Sequence, residues 1–283
     1  MAKMNKTLHF FKSPLRILLF ILILGATLLW LLPFIVAILT SFRTNADIMT
    51  RGFLAFPEEI NLDSFVQAWN RGGLNHYLPN SFIITIPSII GTLFLSSLSA
   101  YALVRFKFLG RNFFYFLCVG GMMLPFQILM LPVVRLTDAM GLYDTHMGII
   151  MFHTAFQIGF CTFVLRNYMI TVPPQIFEAA RIDGCSELRI YAQIMIPLIL
   201  PAFAALATLE FTWIFNDYLW AIVLLRSETL LPVTAGLALL QGQYIMDWTV
   251  IIAGSLTATL PTILIFIFLQ RYFIAGLTMG SNK

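Results

Sequence analysis

The 283-residue chain is 59% hydrophobic and 11% charged, with a mean hydropathy of +0.87, whereas soluble domains carry about 25% charged residues. That excludes a soluble domain and points to a polytopic protein of the lipid bilayer. A net charge of +4 without any basic run excludes a nucleic-acid surface. The three scattered cysteines, Cys118, Cys161 and Cys185, offer neither a disulfide framework nor a metal site.

Lys3, Lys6, Lys12 and Arg16 precede an apolar run from Leu15 to about Leu39. The run exceeds the roughly 7–15 apolar residues of a signal peptide, so it reads as span one, entering from the cytoplasm with residues 1–40. Residues 41–77 are polar, with Asp47, Glu58, Glu59 and Asp63, and read as an extracytoplasmic segment. Span two follows from about Asn80 to Val104, its Ser, Thr and Gly content allowing close helix approach. Asn80-Ser81 suit a cap at its start. Arg105, Lys107 and Arg111 mark a short inside loop, and span three runs from about Phe113 to Val133 with Pro125, Gln127 and Pro132 inside it.

Arg135 to Thr145 forms an outside turn, and span four occupies about Met147 to Leu165, with His153 and Gln157 one turn apart. A polar loop over 166–196 precedes span five, about Pro197 to Leu225. Residues 226–247 return outside, span six covers about Trp248 to Leu269, and residues 273–283 form a tail. Each span is near the ~20 residues a bilayer demands. The predicted fold is an all-α membrane protein of six transmembrane helices, the five-span core covering 78–272. Twelve of the 17 Lys and Arg residues fall on the side assigned to the cytoplasm, which predicts both termini inside.

The loop over 166–196 is the most distinctive polar stretch. Pro173-Pro174 set up a helix start, a short helix is predicted through Phe177 to Asp183, and Ala179 and Ala180 give it a flat side. Gly184 breaks it, Ser186 is placed to cap a second short helix, and Pro197 opens span five. Between two spans such a helix–break–helix presents a compact knob; on the residues alone a solvated loop is an equal reading.

In span five, Glu210, Trp213, Asn216, Asp217 and Trp220 recur at three- and four-residue spacing, which predicts one polar–aromatic helix face. Carboxylates inside a span are costly and face a bundle interior or water. Such a face suits sugars, whose hydroxyls seek hydrogen bonds and whose C–H faces stack on rings; helix–helix adhesion is the competing reading. The loop bearing Gln241, Gly242, Gln243 and Tyr244 is polar and glycine-containing, near the mouth of any pathway. No G-x-x-x-x-G-K-S/T occurs, and no H-E-x-x-H or G-x-S-x-G, so neither nucleotide hydrolysis nor an enzyme active site has a sequence basis in this chain.

The order Glu178-Ala179-Ala180-Arg181-Ile182-Asp183-Gly184, nine residues, then Ile194-Met195-Ile196-Pro197 resembles the EAA loop of ABC importer permeases, with Ile196 where Leu is more usual. Phe215-Asn216-Asp217-Tyr218-Leu219-Trp220 and the ending Gln270 to Gly280 look like the MalG-like, carbohydrate branch of that family. The resemblance covers nearly the whole chain. It implies one of two permease subunits in a bacterial or archaeal cell membrane, paired with a homologous partner and a dimer of ATPase subunits that hold ATP and Mg. An extracytoplasmic solute-binding protein would deliver an oligosaccharide, polyol or glycerol phosphate. Glu178, Ala179, Ala180, Arg181, Asp183, Gly184, Ile194 and Pro197 would then form the ATPase-coupling interface, and the loop at Gln241–Tyr244 would meet the binding protein. The alternative is a stand-alone proton-coupled transporter using Glu210 and Asp217 as relay.

Overall fold

The computed structural model describes residues 14–240 and 247–278, and every secondary-structure element among them is helical. Five helices are long and apolar enough to cross a membrane, and one bent pair could supply a sixth crossing. The described residues divide into two compact units, one of residues 14–69 and 247–257, the other of 70–240 and 258–278.

In the first unit, the apolar body of α1 (Pro14–Ser41) is unburied, as a helix facing lipid would be, and only its end at Thr40 and Ser41 is buried. After it, α2 (Asn45–Arg51) and α3 (Asp63–Asn70) organise the segment around a buried arginine. Arg43 donates through Nε to Asp47 Oδ2 at 2.6 Å and through Nη1 to the Gly52 carbonyl at 2.8 Å. Arg51 holds the other Asp47 oxygen. The Arg51 and Arg43 guanidinium groups keep the Asp47 carboxyl far below the usual carboxylate range. α13 (Trp248–Thr278) begins in this unit, and Trp248 meets Phe53 edge-on at 6.5 Å.

The second unit is built on α4 (Leu74–Arg105), which packs most extensively along α7 (His146–Met169). A buried polar stripe on α4, including Ser88, Thr92 and Ser96, is compatible with this contact because small hydroxyls bond nearby carbonyls. Ser88 donates to Ile84 O at 2.7 Å, and Ser96 reaches Ile158 O on α7 at 3.2 Å. α4 starts at Leu74, six residues before the predicted Asn80, so Asn80 and Ser81 do not cap it. They sit inside the helix and hold another segment: Asn80 Nδ2 donates to Thr229 O and Leu231 O, and Ser81 Oγ accepts from Val233 N. That fixes the approach to α12 (Val233–Leu239) within the stretch read as an outside loop.

Span three departs most from expectation. α5 (Arg111–Met122) stops, a 3₁₀ turn covers Phe126–Leu129, and α6 (Met130–Ala139) leaves at 98°. Pro125, with no N–H to donate, adopts extended ψ of 118° and ends the helix just after Gly120-Gly121. Pro132 is tolerated in the first turn of α6. α6 also fills part of the predicted outside turn. Beyond it, Asp144 takes a positive φ of 57° and accepts from the backbone N–H groups of Arg226 and Ser227 at 2.7 and 2.9 Å. The Ser227 hydroxyl bond and these N–H groups lower its carboxyl pKa. At the C-terminus α13 continues to Thr278, so the predicted tail is helical over its first part.

Candidate functional site

The knob after span four is a helix with a defined stop. Pro173 is the N-cap and Pro174 the first residue of α8 (Pro174–Ile182). At its end Gly184, at φ +79°, lets its own N–H reach Arg181 O and the Cys185 N–H reach Ala180 O, both at 3.0 Å. This paired six-to-one and five-to-two pattern is a Schellman stop, which wants a left-handed residue and therefore glycine. Phe177 and Ala180 turn inward onto a core that includes Leu165, Met169, Ile190 and Tyr101.

Glu178, Ala179, Arg181, Ile182, Asp183 and Gly184 are exposed. The two alanines therefore do not form one flat side, because residues one apart on a helix face about 100° apart: Ala179 faces out and Ala180 packs in. Two apolar residues that the motif alone does not mark, Ile182 and Leu188, are 87% and 76% exposed on this surface. Ser186 is at the N-cap of α9 (Glu187–Ile190), but its hydroxyl makes no capping bond. A π-helical turn, Tyr191–Met195, joins α9 to α10 (Ile196–Phe215), so span five starts before Pro197. Ile194 packs partly against the core, and Pro197 lies in the first turn of α10, away from the α8 tip in sequence and exposed.

The predicted polar–aromatic face of span five is not a single helix face. α10 ends at Phe215, and α11 (Leu219–Leu224) is a separate short helix. Asp217 breaks the helix because its carboxylate takes the N–H groups of Trp220 and Ala221, at 3.4 and 3.1 Å, as an Asp does at a helix start. Its carbonyl accepts from Thr234 Oγ1 at 2.6 Å, and His153 Nε2 is 3.7 Å from Oδ2, the carboxylate oxygen that also takes the Ala221 N–H. Glu210 is fully buried and accepts from Cys161 Sγ at 3.2 Å. Trp220 is buried and stacks on Phe152 at 3.8 Å.

Trp213 is 48% exposed, and Asn216 is exposed with its amide donated to Thr212 O. Trp213 meets Phe160 at 5.3 Å and, with Gln157 and Phe126, lines a half-open groove of about 420 Å³. Of the five predicted residues, the structure leaves Trp213 and Asn216 accessible and ties Glu210, Asp217 and Trp220 into packing or capping. Gln127 lies in the 3₁₀ turn between α5 and α6. The candidate residues Gln241, Gly242, Gln243 and Tyr244 lie outside the described residues. Among the described residues no cluster of three or more His, Cys, Asp or Glu could hold a metal ion.

The profile of a family described as the binding-protein-dependent transport system inner membrane component matches residues 92–278. The chain belongs to this family. The match takes in the last part of α4, the bent span, the knob and span five, so this inner membrane component carries the knob within its defining region. It is similar to the arabinooligosaccharides transport system permease protein AraQ of Halalkalibacterium halodurans, 39% identical over 254 residues, or 89% of this chain and 90% of the relative. The osmoprotective compounds uptake permease protein GgtD of Synechocystis is 32% identical over 286 residues, covering 99% and 95%.

A crystal structure of a bacterial ABC transporter involved in the import of the acidic polysaccharide alginate contains a chain with a TM-score of 0.82 and 26% identity. That likeness covers 93% of the permease and 99% of the other chain. The permease is thus a multi-pass protein of the cell membrane and a transport component of the ABC, carbohydrate-permease type expected from its motifs. Its family is one of permeases and not of enzymes.

Proposed function

We propose that this permease is one of two homologous membrane subunits of an ATP-driven importer and that its solute is a carbohydrate-type molecule. An extracytoplasmic binding protein delivers the solute, and a dimer of ATPase subunits supplies ATP, Mg and the hydrolysis. Both termini are cytoplasmic in this reading, and α8 with its Gly184 stop is the docking element for the ATPase. The observation that carries it is the exposed α8 tip. Ile182 at the end of α8 and Leu188 on the following α9 would face solvent at a cost of roughly 1.5–3 kcal/mol each relative to burial, and Ile182 is flanked in sequence by the exposed Arg181 and Asp183, a mixed surface suited to a protein cleft. Substrate class is supported by the relatives' names, which include arabinooligosaccharides and osmoprotective compounds.

Alternating access follows. ATP-driven closure of the ATPase pair moves the docked knob, the spans open outward to receive solute, and hydrolysis resets them. Within this chain Trp213 and Gln157 line the groove and are the groups placed to meet a sugar, an exposed ring for stacking and an amide for hydroxyls, with the exposed Asn216 following Trp213 by three residues. Trp213→Ala is expected to raise the apparent KM for solute about tenfold with the permease present in normal amount. Trp220→Ala, which empties a packed site, is expected to cost about 3–5 kcal/mol and lower the amount of folded permease. Measuring uptake and membrane-inserted protein for both separates these outcomes.

The test of the whole reading is purification of a tagged copy from native membranes in mild detergent, with its companions identified by mass spectrometry. A Walker-A-bearing ATPase at two copies and one related permease is the expected result. Isolation as a homo-oligomer that carries solute on a proton gradient without ATP would overturn it. Of the relay residues of that alternative, Asp217 is taken up by the α11 N-terminus, and Glu210 is held through Oε1 by Cys161.

A further inference from the structure

Three residues one helical turn apart on α4 each meet a different part of the chain between the knob and span five. Arg105 places its guanidinium 4.3 Å over the Phe177 ring of α8. The Tyr101 hydroxyl donates to Glu187 Oε2 at 2.9 Å, and the hydroxyls of Ser97 and Tyr191 share a hydrogen bond of 2.6 Å. Spacing of four and four puts Ser97, Tyr101 and Arg105 on one face. The other oxygen of Glu187 accepts from Arg181 Nε at 2.6 Å, so the basic end of the knob helix is joined through Glu187 to Tyr101.

The covalent route from knob to span five is less direct. It passes the left-handed Gly184 turn and then the π-helical turn Tyr191–Met195, a register slip of the kind that marks functional bends in helices. The side-chain route bypasses both points. From α4 it continues to α7, because Ser96 bonds Ile158 O and α4 packs along that helix. The exposed Arg181–Glu187 pair contributes little stability by itself. Its geometry gives it a directional use.

We propose that Ser97, Tyr101 and Arg105 form a ladder that makes the end of α4 move with the knob, with Tyr101 and Glu187 as positioning residues that pass ATPase-driven displacement into α4. This rests on the reading that the knob docks an ATPase. The test uses the complete importer in proteoliposomes, with binding protein and solute, and measures both ATP hydrolysed and solute imported. Tyr101→Phe keeps the ring contacts with Tyr191 and Phe106 and removes only the hydroxyl.

The expected result is an assembled complex whose hydrolysis stays within about twofold while solute moved per ATP falls about tenfold. Glu187→Gln leaves an acceptor for Tyr101 but no charge for Arg181, and is expected to lose about threefold. Wild-type solute per ATP in Tyr101→Phe would overturn the ladder. Failure of Tyr101→Phe to assemble while Glu187→Gln assembles and couples normally would assign the hydroxyl to folding and overturn it equally. If Gly184→Asp in the same preparation also hydrolyses and transports normally, the docking reading itself fails; if only that variant loses transport, the ladder alone is wrong.

Discussion

Gly184→Asp is expected to reduce transport by at least tenfold while the permease still inserts and folds. A Cβ at Gly184 would meet nothing within 4 Å, so no neighbour inside the chain resists the new side chain. The backbone there, at φ +79°, costs an L-residue about 1–2 kcal/mol, and Asp is among the residues that tolerate it best. Set against a total stability of about 5–15 kcal/mol, that strain leaves the fold intact. A large loss of transport would then come from something that approaches this surface from outside the chain. Gly110→Asp is the control. Gly110 also has positive φ and open surroundings, but lies at the start of α5, and it is expected to transport normally. Uptake assays alongside membrane-fraction quantification of both variants decide the matter. Equal transport in the two would remove the knob from the mechanism.

The second large effect is on folding. Gly148→Ala would set a Cβ on the Leu142 carbonyl oxygen, a backbone atom with nowhere cheap to go. That carbonyl accepts from Thr145 Oγ1, and Thr145 in turn caps α7 by accepting from Gly148 N. Moving Leu142 would disturb the helix cap and the neighbouring Asp144 clamp together. The expected cost is at the upper end of the about 1–3 kcal/mol usual for overpacking. Gly120→Ala, with nothing within 4 Å, is expected to be near neutral. Thermal unfolding in detergent for the two variants should differ clearly. Similar midpoints would mean that the turn relaxes at no cost.

Five of the six spans, all but the bent third, were legible because length and hydropathy alone mark a helix that must satisfy its own backbone in lipid. The helix of the knob was legible for local reasons: two prolines at one end and a glycine at the other leave little freedom over where it starts and stops. What escaped was decided by single polar side chains. Asp217 looks, by spacing, like a member of a polar helix face. Once its carboxylate takes the Trp220 and Ala221 N–H groups, it starts a new helix instead, and the spacing argument no longer applies. An Asn-Asp pair inside an apolar run is a readable start signal, and it outweighs periodicity here. Asn80 and Ser81 gave the converse error, since their partners at Thr229, Leu231 and Val233 lie about 150 residues away in sequence. Ile182 and Leu188 were unremarkable letters until the fold left them facing outward.

The broken third span also has a consequence for what surrounds it. At about 1.5 Å per residue, the 12 residues of α5 rise about 18 Å, short of the roughly 30 Å of hydrocarbon. Read as a single crossing, the chain would change direction inside the membrane's thickness, and around Met123 to Phe126 the regular helical bonding lapses. Oil cannot solvate the peptide groups of such an elbow. Its outer flank must then be roofed by another polypeptide or open onto a wet cleft, which makes the elbow a landmark for the seam where the assembled transporter is not bathed in lipid.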